Sequence, residues 1–262
     1  MAGDVSERQR MIREHVLAHG EVEFAALAAE FRVSEMTIRR DIDALEAEGA
    51  VRKVIGGAIA VSKIAEPSFA ARADLEATSK QHIAEAVVTR LTARETVILD
   101  SGSTALAVAR ALRGAGLGLT VLTPSILIAV ELAGEPDTTV LLAGGLVRPG
   151  ELSLIGTDAV EWFARYNCDT FVMGVAGVAT TSGYTDYHRD ESAVKRAAIA
   201  AADRLIVVAD HTKLDRSHLV NIAPLDAAEI LVTDGDPDHP VLAAAAHGGV
   251  EVITVPRATS QP

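Results

Sequence analysis

Asp100-Ser101-Gly102-Ser103-Thr104 closes one apolar run and opens directly into an alanine-rich helical stretch, TALAVARAL. Glycine admits close backbone approach, and hydroxyls beside the free N–H groups of a helix N-terminus make a ready anion site. DSGST therefore reads as a candidate phosphate cradle, although it is also an ordinary strand, turn and cap. Polar or small residues follow other apolar runs: Thr123-Pro124-Ser125, Gly144-Gly145, Gly174 with Gly177, and Asp210 with Lys213. Glu191 and Lys195 stand at i, i+4 on one helix face; as a bare surface pair they would contribute about 0.3–0.5 kcal/mol. A second chemistry lies in VSEMTIRRDIDALEAEG, residues 33–49, where Thr37, Arg39 and Arg40 sit near the start of a helix. Arginine bonds a guanine edge bidentately, worth about 1–3 kcal/mol of discrimination, and reading helices contact bases mainly through their first turns.

Simple periodicities predict the elements that position these residues. Ser34 is a good N-cap, Glu35 complements the helix dipole, and Ile38, Ile42 and Leu45 define a core face before Gly49 ends the segment. Met36, Thr37, Arg39, Arg40 and Asp43 then fall on the other faces. Phe24, Leu27, Ala28 and Phe31 give a preceding helix, and a first runs from about Glu7 to His19. The join FRVS is as short as a helix-turn-helix needs. VRKVIGGAIAV, broken at Gly56-Gly57, reads as a hairpin with Arg52 and Lys53 beside the helices. Residues 1–60 are thus expected to form a winged helix-turn-helix. Residues 61–78, with Glu66-Pro67 and little apolar period, are expected to connect it to a second domain over 79–262. There, apolar runs alternate with helical stretches: TVILD (96–100), LTVLT (119–123), TTVLLAGG (138–145), DTFVMGVAGV (169–178), LIVVAD (205–210), EILVTD (229–234) and VEVITV (250–255). Such alternation predicts an α/β fold with a largely parallel sheet covered on both faces, and ligands beyond the carboxyl ends of its strands.

Composition narrows the function classes. The 262 residues are 49% apolar but only 3% aromatic, so the core must be aliphatic. Cys168 has no partner for an internal disulfide, the first twenty residues lack a signal-peptide core, and no uncharged apolar run reaches the ~18 residues of a membrane span. A cytoplasmic protein without membrane association is expected. The eight histidines are scattered without metal-ligand spacing, and neither a Walker pattern nor a GxSxG elbow occurs, so no metal, nucleotide or cofactor is implied. Net charge is -12, and residues 1–60, with eight Lys or Arg against eleven Asp or Glu, are themselves acidic. Binding to DNA by counterion release alone is therefore disfavoured, and two half-sites engaged by an oligomer are expected instead.

VSEMTIRRDIDALEAEG followed by GGA resembles the N-terminal signature of the DeoR family of bacterial transcriptional regulators. EPSFAAR, TSKQHIAEA, LDSGSTALA, LTPS, AGG, GVAGV, the ExxxK of Glu191 and Lys195, and VVADHTK resemble its C-terminal sensor domain in the same order. The resemblance covers nearly the whole chain. It implies a sensor fold similar to ribose-5-phosphate isomerases and CoA transferases, double-stranded operator DNA as partner, a homo-oligomer (dimer or tetramer), and a repressor of a carbohydrate operon released by a phosphorylated sugar. DNA contacts would come from Ser34, Met36, Thr37, Arg39, Arg40, Arg52 and Lys53. Ser101 to Thr104 would hold the phosphate; Asp100, Ser125, Gly145, Gly174 and Gly177 would line the site; Glu191 and Lys195 would meet hydroxyls or a second anionic group; Asp210 and Lys213 would close the pocket. Two departures stand out: Ile55, where the family commonly has a basic residue or histidine, and Pro124, where it usually has Asn. The alternative is an isomerase in which Glu191 or Asp210 moves a proton and Lys195 or Lys213 stabilises an enediolate.

Overall fold

The computed structural model describes residues 2–19, 21–47, 51–54, 56–60 and 67–257. The chain divides into two compact units, Met1–Glu66 and Pro67–Pro262. In the first, helix α1 (Ala2–His19) is followed by strand β1 (Glu21–Glu23), α2 (Phe24–Phe31), α3 (Glu35–Ala47), β2 (Val51–Val54) and β3 (Gly57–Ala60). The expected hairpin is β2–β3; β1, too short to show a period in sequence, adds a third antiparallel strand in the order β1-β3-β2. Ile12, Val16, Phe24, Leu27, Ile38, Ile42, Leu45, Val51 and Ala58 form one core. The turn between α2 and α3 is made tight by Arg32, whose left-handed backbone (φ 53°) returns its N–H to the carbonyls of Ala28 and Ala29. A Cβ on Gly57 would run into the Val22 carbonyl, so glycine is what lets β3 lie against β1. Asp41, buried on α3, accepts from Arg8 Nε at 2.6 Å and Gln9 Nε2 at 3.2 Å, tying α1 to α3. Ile55, residues 48–50 and residues 61–66 lie outside the described residues, as does the side chain of Arg52.

The second unit opens with α4 (Phe69–Asp74) and α5 (Ala77–Val88), so the described part of the stretch expected as a connector carries helix. Then come β4 (Thr96–Leu99), α6 (Ser103–Leu112), β5 (Thr120–Thr123), α7 (Ile126–Leu132), β6 (Thr139–Leu142), β7 (Leu146–Arg148), β8 (Ser153–Ile155), α8 (Thr157–Phe163), β9 (Cys168–Gly174), β10 (Gly177–Ala179), β11 (Gly183–Asp186) and α9 (Arg189–Ala200). The chain continues through β12 (Ala202–Val208), β13 (Val220–Ala223), β14 (Ile230–Thr233), α10 (Pro240–His247) and β15 (Glu251–Thr254). Seven strands form a parallel sheet in the order β15-β14-β12-β9-β4-β5-β6. The residues of each central strand alternate between two cores: Val97 and Leu99 join Val172, Ile206 and Val208, whereas Ile98 joins Phe171, Met173 and Val207. That two-sided burial is why these runs read as continuously apolar. DTFVMGVAGV is in fact two elements, β9 and β10, the latter in a small antiparallel sheet β10-β11-β13; a separate β7–β8 hairpin follows β6.

The chain builds outward from β4 through β5 and β6, then crosses back to place β9 on the other flank of β4. The crevice beyond the carboxyl ends of β4 and β9 is therefore the topological switch point, where open α/β sheets bind ligands.

In the first unit Ile42→Ala removes a fully buried side chain and should cost about 2–5 kcal/mol. Calorimetry should show that unit's transition falling while the transition of the parallel-sheet unit stays in place.

Candidate functional site

At the switch point, Asp100 is the first residue after β4 and is buried. Its Oδ2 accepts from Gly174 N at 3.0 Å, at the end of β9, and from Lys195 Nζ. Lys195, on α9 and 5% exposed, also donates to Gly174 O at 2.8 Å and lies 3.4 Å from Asp186 Oδ2 at the end of β11. One ammonium thus serves two carboxylates. Burial pushes the Asp100 carboxyl up, to about 6, against the pull of Lys195. Burial alone would draw Lys195 down, but Asp100, Asp186 and Glu191 hold it above the usual lysine range. Glu191, one turn earlier on α9, is buried too. It accepts from Arg148 Nη1 at 2.5 Å and from Ser153 Oγ at 2.5 Å, both on the β7–β8 hairpin. Glu191 and Lys195 are therefore two buried groups with separate partners, not a surface pair.

Ser101 to Thr104 lie half-buried beside Asp100. Gly102 (φ 105°) is the N-cap of α6 and no side chain caps the helix, which leaves its first-turn N–H groups facing the crevice mouth without a side-chain acceptor. At the next strand end, Asp210 is buried and accepts from Thr212 N at 3.0 Å, capping a short 3-10 turn, His211–Lys213. Lys213 is half-buried and close enough to Lys80 for their charges to interact.

Lys80, missed from sequence, is 4% exposed on α5 and donates to the carbonyls of Arg72 and, at 2.5 Å, Leu75. Burial pulls its pKa down and Lys213 and Arg72 add to that, while Asp210 and Glu76 oppose it. A signal was present: Lys80 falls on the buried stripe of α5 with Ile83, Ala84 and Val87, where a cation is anomalous. Glu76, His211 and Asp234 bring ligating atoms within 4.8 Å of one another at the same edge. His211, however, is held on one side by Asp234 Oδ2 at 2.9 Å and on the other by Arg257 at 2.5 Å.

Other predicted lining residues have backbone work. Ser125 is buried and accepts from Ile128 N at 3.3 Å as the N-cap of α7. A Cβ on Gly145 (φ 131°) would come within 2.6 Å of the Ile155 carbonyl. One on Gly177 would meet the Arg216 backbone, which places that glycine in strand packing. Pro124 is buried, and its carbonyl accepts from Leu154 N at 2.7 Å. Cys168 is buried, and burial pushes its thiol up, to about 11.

In the first unit Ser34 Oγ accepts from Thr37 N at 3.2 Å and shares a hydrogen bond with Thr37 Oγ1 at 2.9 Å. Arg39 stacks its guanidinium 4.6 Å over the Phe24 ring and reaches Glu35 at 3.7 Å. Lys53 pairs with Asp43, and its backbone N–H donates to Glu46 Oε1 at 2.8 Å. The acids of α3 are thereby engaged within the unit. Met36, 61% exposed, and Arg40, also exposed, share one face a turn apart.

Residues 75–235 match the model of the DeoR C terminal sensor domain, and residues 8–64 that of the DeoR-like helix-turn-helix domain. The chain is 31% identical over 229 residues to the HTH-type transcriptional regulator GolR of Listeria innocua, spanning 87% of this chain and 90% of that protein. It is 27% identical over 237 residues to the glycerol-3-phosphate regulon repressor of Escherichia coli K12, spanning 90% of this chain and 94% of that one. Ribose 5-phosphate isomerase A from Methanocaldococcus jannaschii aligns with a TM-score of 0.40 at 15% identity, over 53% of this chain and 55% of its own. That likeness is too loose to bear on activity.

The Asp100 carboxyl gives the site a pH signature. Its folded value lies above the free value of 3.8, so the folded chain keeps a proton that the unfolded chain has lost. Its contribution to stability consequently falls as pH rises from about 4 through about 6. Denaturant midpoints across this window should show that component in the wild type and lose it in Asp100→Asn.

Proposed function

The chain belongs to the DeoR family of transcriptional regulators, and from that premise we propose that it represses a carbohydrate-metabolism operon until a phosphorylated sugar or related intermediate releases it. It is a DNA-binding regulator, not an isomerase: the matched family is one of regulators, and the helix-turn-helix unit has no part in turnover. The observation that carries the effector reading is the uncapped N-terminus of α6 at the switch point, next to the buried Asp100–Lys195 pair; Lys80 and Lys213 interact with one another near the end of β12, two strands along the sheet. The phosphate sits on the N–H groups and hydroxyls of Ser101 to Thr104. Lys195 and Glu191 face the remainder of the effector, and Asp210 with Lys213 borders it. Pro124 offers no donor; across the same seam Arg148 and Ser153, gathered by Glu191, supply polar groups in its place. The relative named for the glycerol-3-phosphate regulon supports a phosphorylated polyol or sugar as the chemical class.

On DNA, α3 enters the major groove with Arg40 and Met36 foremost, the guanidinium suited to a guanine edge and the thioether to a thymine methyl. Arg39, stacked on Phe24, fixes the pitch of the helix as much as it reads. Because the unit is acidic, one head binds weakly, and a homo-oligomer is needed to engage two half-sites. Leu142, Leu146, Val147 and Leu152, all exposed at the edge strand β6 and the adjoining hairpin, fit a subunit contact. Effector binding then acts by shifting the population of head geometries that match the operator. A regulator of this kind works in the cytoplasm.

Two measurements test the proposal. On an operator selected from random duplexes, Arg40→Ala should lose about 1–3 kcal/mol of binding at one base position. Arg39→Ala should lose binding together with thermal stability of the first unit, and unchanged affinity in both variants removes α3 from the interface. In a thermal-shift panel, one sugar phosphate at about 100 times its Kd should stabilise the chain by about 2.7 kcal/mol while its unphosphorylated parent does not. Lys213→Met should reduce that shift. If no phosphate ester stabilises the chain, the cradle at Ser101 to Thr104 is wrong and the DNA-binding assignment stands alone.

A further inference from the structure

Helix α4 is the first described element after residues 61–66, the segment through which the chain arrives from the DNA-binding unit. It has six residues, and none of its side chains is fully buried. Phe69, at its start, packs partly buried against the aliphatic core of α5, β4 and α6, and the helix's remaining described contacts are polar. Ser68 caps its start, accepting from Ala71 N at 3.3 Å. Two longer-range tethers remain. The Lys80 ammonium closes its C-terminal end by donating to the carbonyls of Arg72 and Leu75. The Arg72 guanidinium pairs with Glu151 while donating to Pro67 O at 3.0 Å.

Both tethers lead to the crevice. Lys80 is near enough to Asp210 and Lys213, just beyond the end of β12, for their charges to act on it. Glu151 stands in the β7–β8 hairpin between Arg148 and Ser153, the two residues that hold Glu191. We infer that α4 is a latch: in the empty protein Lys80 fastens its C-terminal carbonyls, and an anionic effector group beside Ser101 to Thr104 and Lys213 competes for that ammonium and loosens the helix. The inference rests on the reading of the crevice as an anion site. Its physical basis is that a full negative charge attracts an ammonium more strongly than two carbonyl dipoles do, and more so where water is scarce. A short helix with no fully buried side chain, held by one partly buried ring and a few polar contacts, is also the kind of element that opens locally without unfolding its domain.

The full-length chain, free of ligand, provides the direct test by hydrogen exchange. Lys80→Met should speed exchange of the amides of residues 69–76 while those of β4 and β9 stay protected. It should also shift ligand-free operator affinity by roughly 5- to 150-fold, the usual span of an allosteric coupling. Lys80→Arg should stay near wild type. Glu151→Gln, which loosens the second tether without touching Lys80, should speed the same amides. Inorganic phosphate, used as the probe, should raise the wild-type melting temperature yet deprotect residues 69–76, and should lose most of that effect in Lys80→Met. Unchanged exchange over 69–76 in both Lys80→Met and Glu151→Gln overturns the latch. So does phosphate that stabilises the wild type without altering those amides, an outcome that leaves the anion site intact. Should neither phosphate nor any sugar phosphate bind the wild type, the anion reading itself fails and the latch falls with it.

Discussion

A lysine placed where a parallel sheet reverses its strand order has to be neutralised on the spot, because it is almost wholly buried there. Lys195 meets that constraint with Asp100 from the end of β4, Asp186 from the end of β11 and the Gly174 carbonyl from the end of β9. Three strands from two different sheets are thereby drawn to one ammonium, and α9, which carries it, is fixed across their ends. Removing the lysine would leave Asp100 and Asp186 buried without their cation, the costly case for an ion pair. The neighbouring α6 N-terminus is aimed by the same junction, since Asp100 immediately precedes the turn at Gly102. Positioning of a ligand and integrity of the sheet junction are consequently one problem in this unit.

Beside it the protein spreads further charges rather than concentrating them. Glu191 gathers Arg148 and Ser153 from the hairpin, and Asp210 and Lys213 border Lys80 one strand further along. Each cation near the crevice has carboxylates or carbonyls close by, so an entering anion rearranges existing pairs rather than filling a bare positive hole.

The seven parallel strands were legible because each is buried on two faces and therefore reads as an unbroken apolar run. TVILD and LIVVAD are the clearest cases. The β7–β8 hairpin was not, because Leu146 and Val147 are exposed and its three-residue strands show no alternation. Strand β1 was invisible for the same reason of length. Among site residues, Asp100 to Thr104 could be picked out because a strand end followed by Gly and hydroxyls is a local pattern. Lys80 was marked only as a cation on the buried stripe of α5; what it holds, the carbonyls of α4, lies on a helix too short to show a period. The stack of Arg39 on Phe24 joins two helices, and no spacing rule reveals it. Likewise Gly177 reads like Gly174, yet one packs against the Arg216 backbone and the other closes on Asp100.

The pairing of Lys53 with Asp43 bears on how such a regulator responds to ionic strength. Lys53 is engaged by Asp43, Arg8 by Asp41 and Arg39 by Glu35, so several cations of the unit are already committed to its own acids rather than to displacing the ion atmosphere of DNA. Fewer displaced ions mean a shallower dependence of affinity on ionic strength. A DNA-binding regulator built this way would keep its hold on DNA more evenly as ionic strength changes.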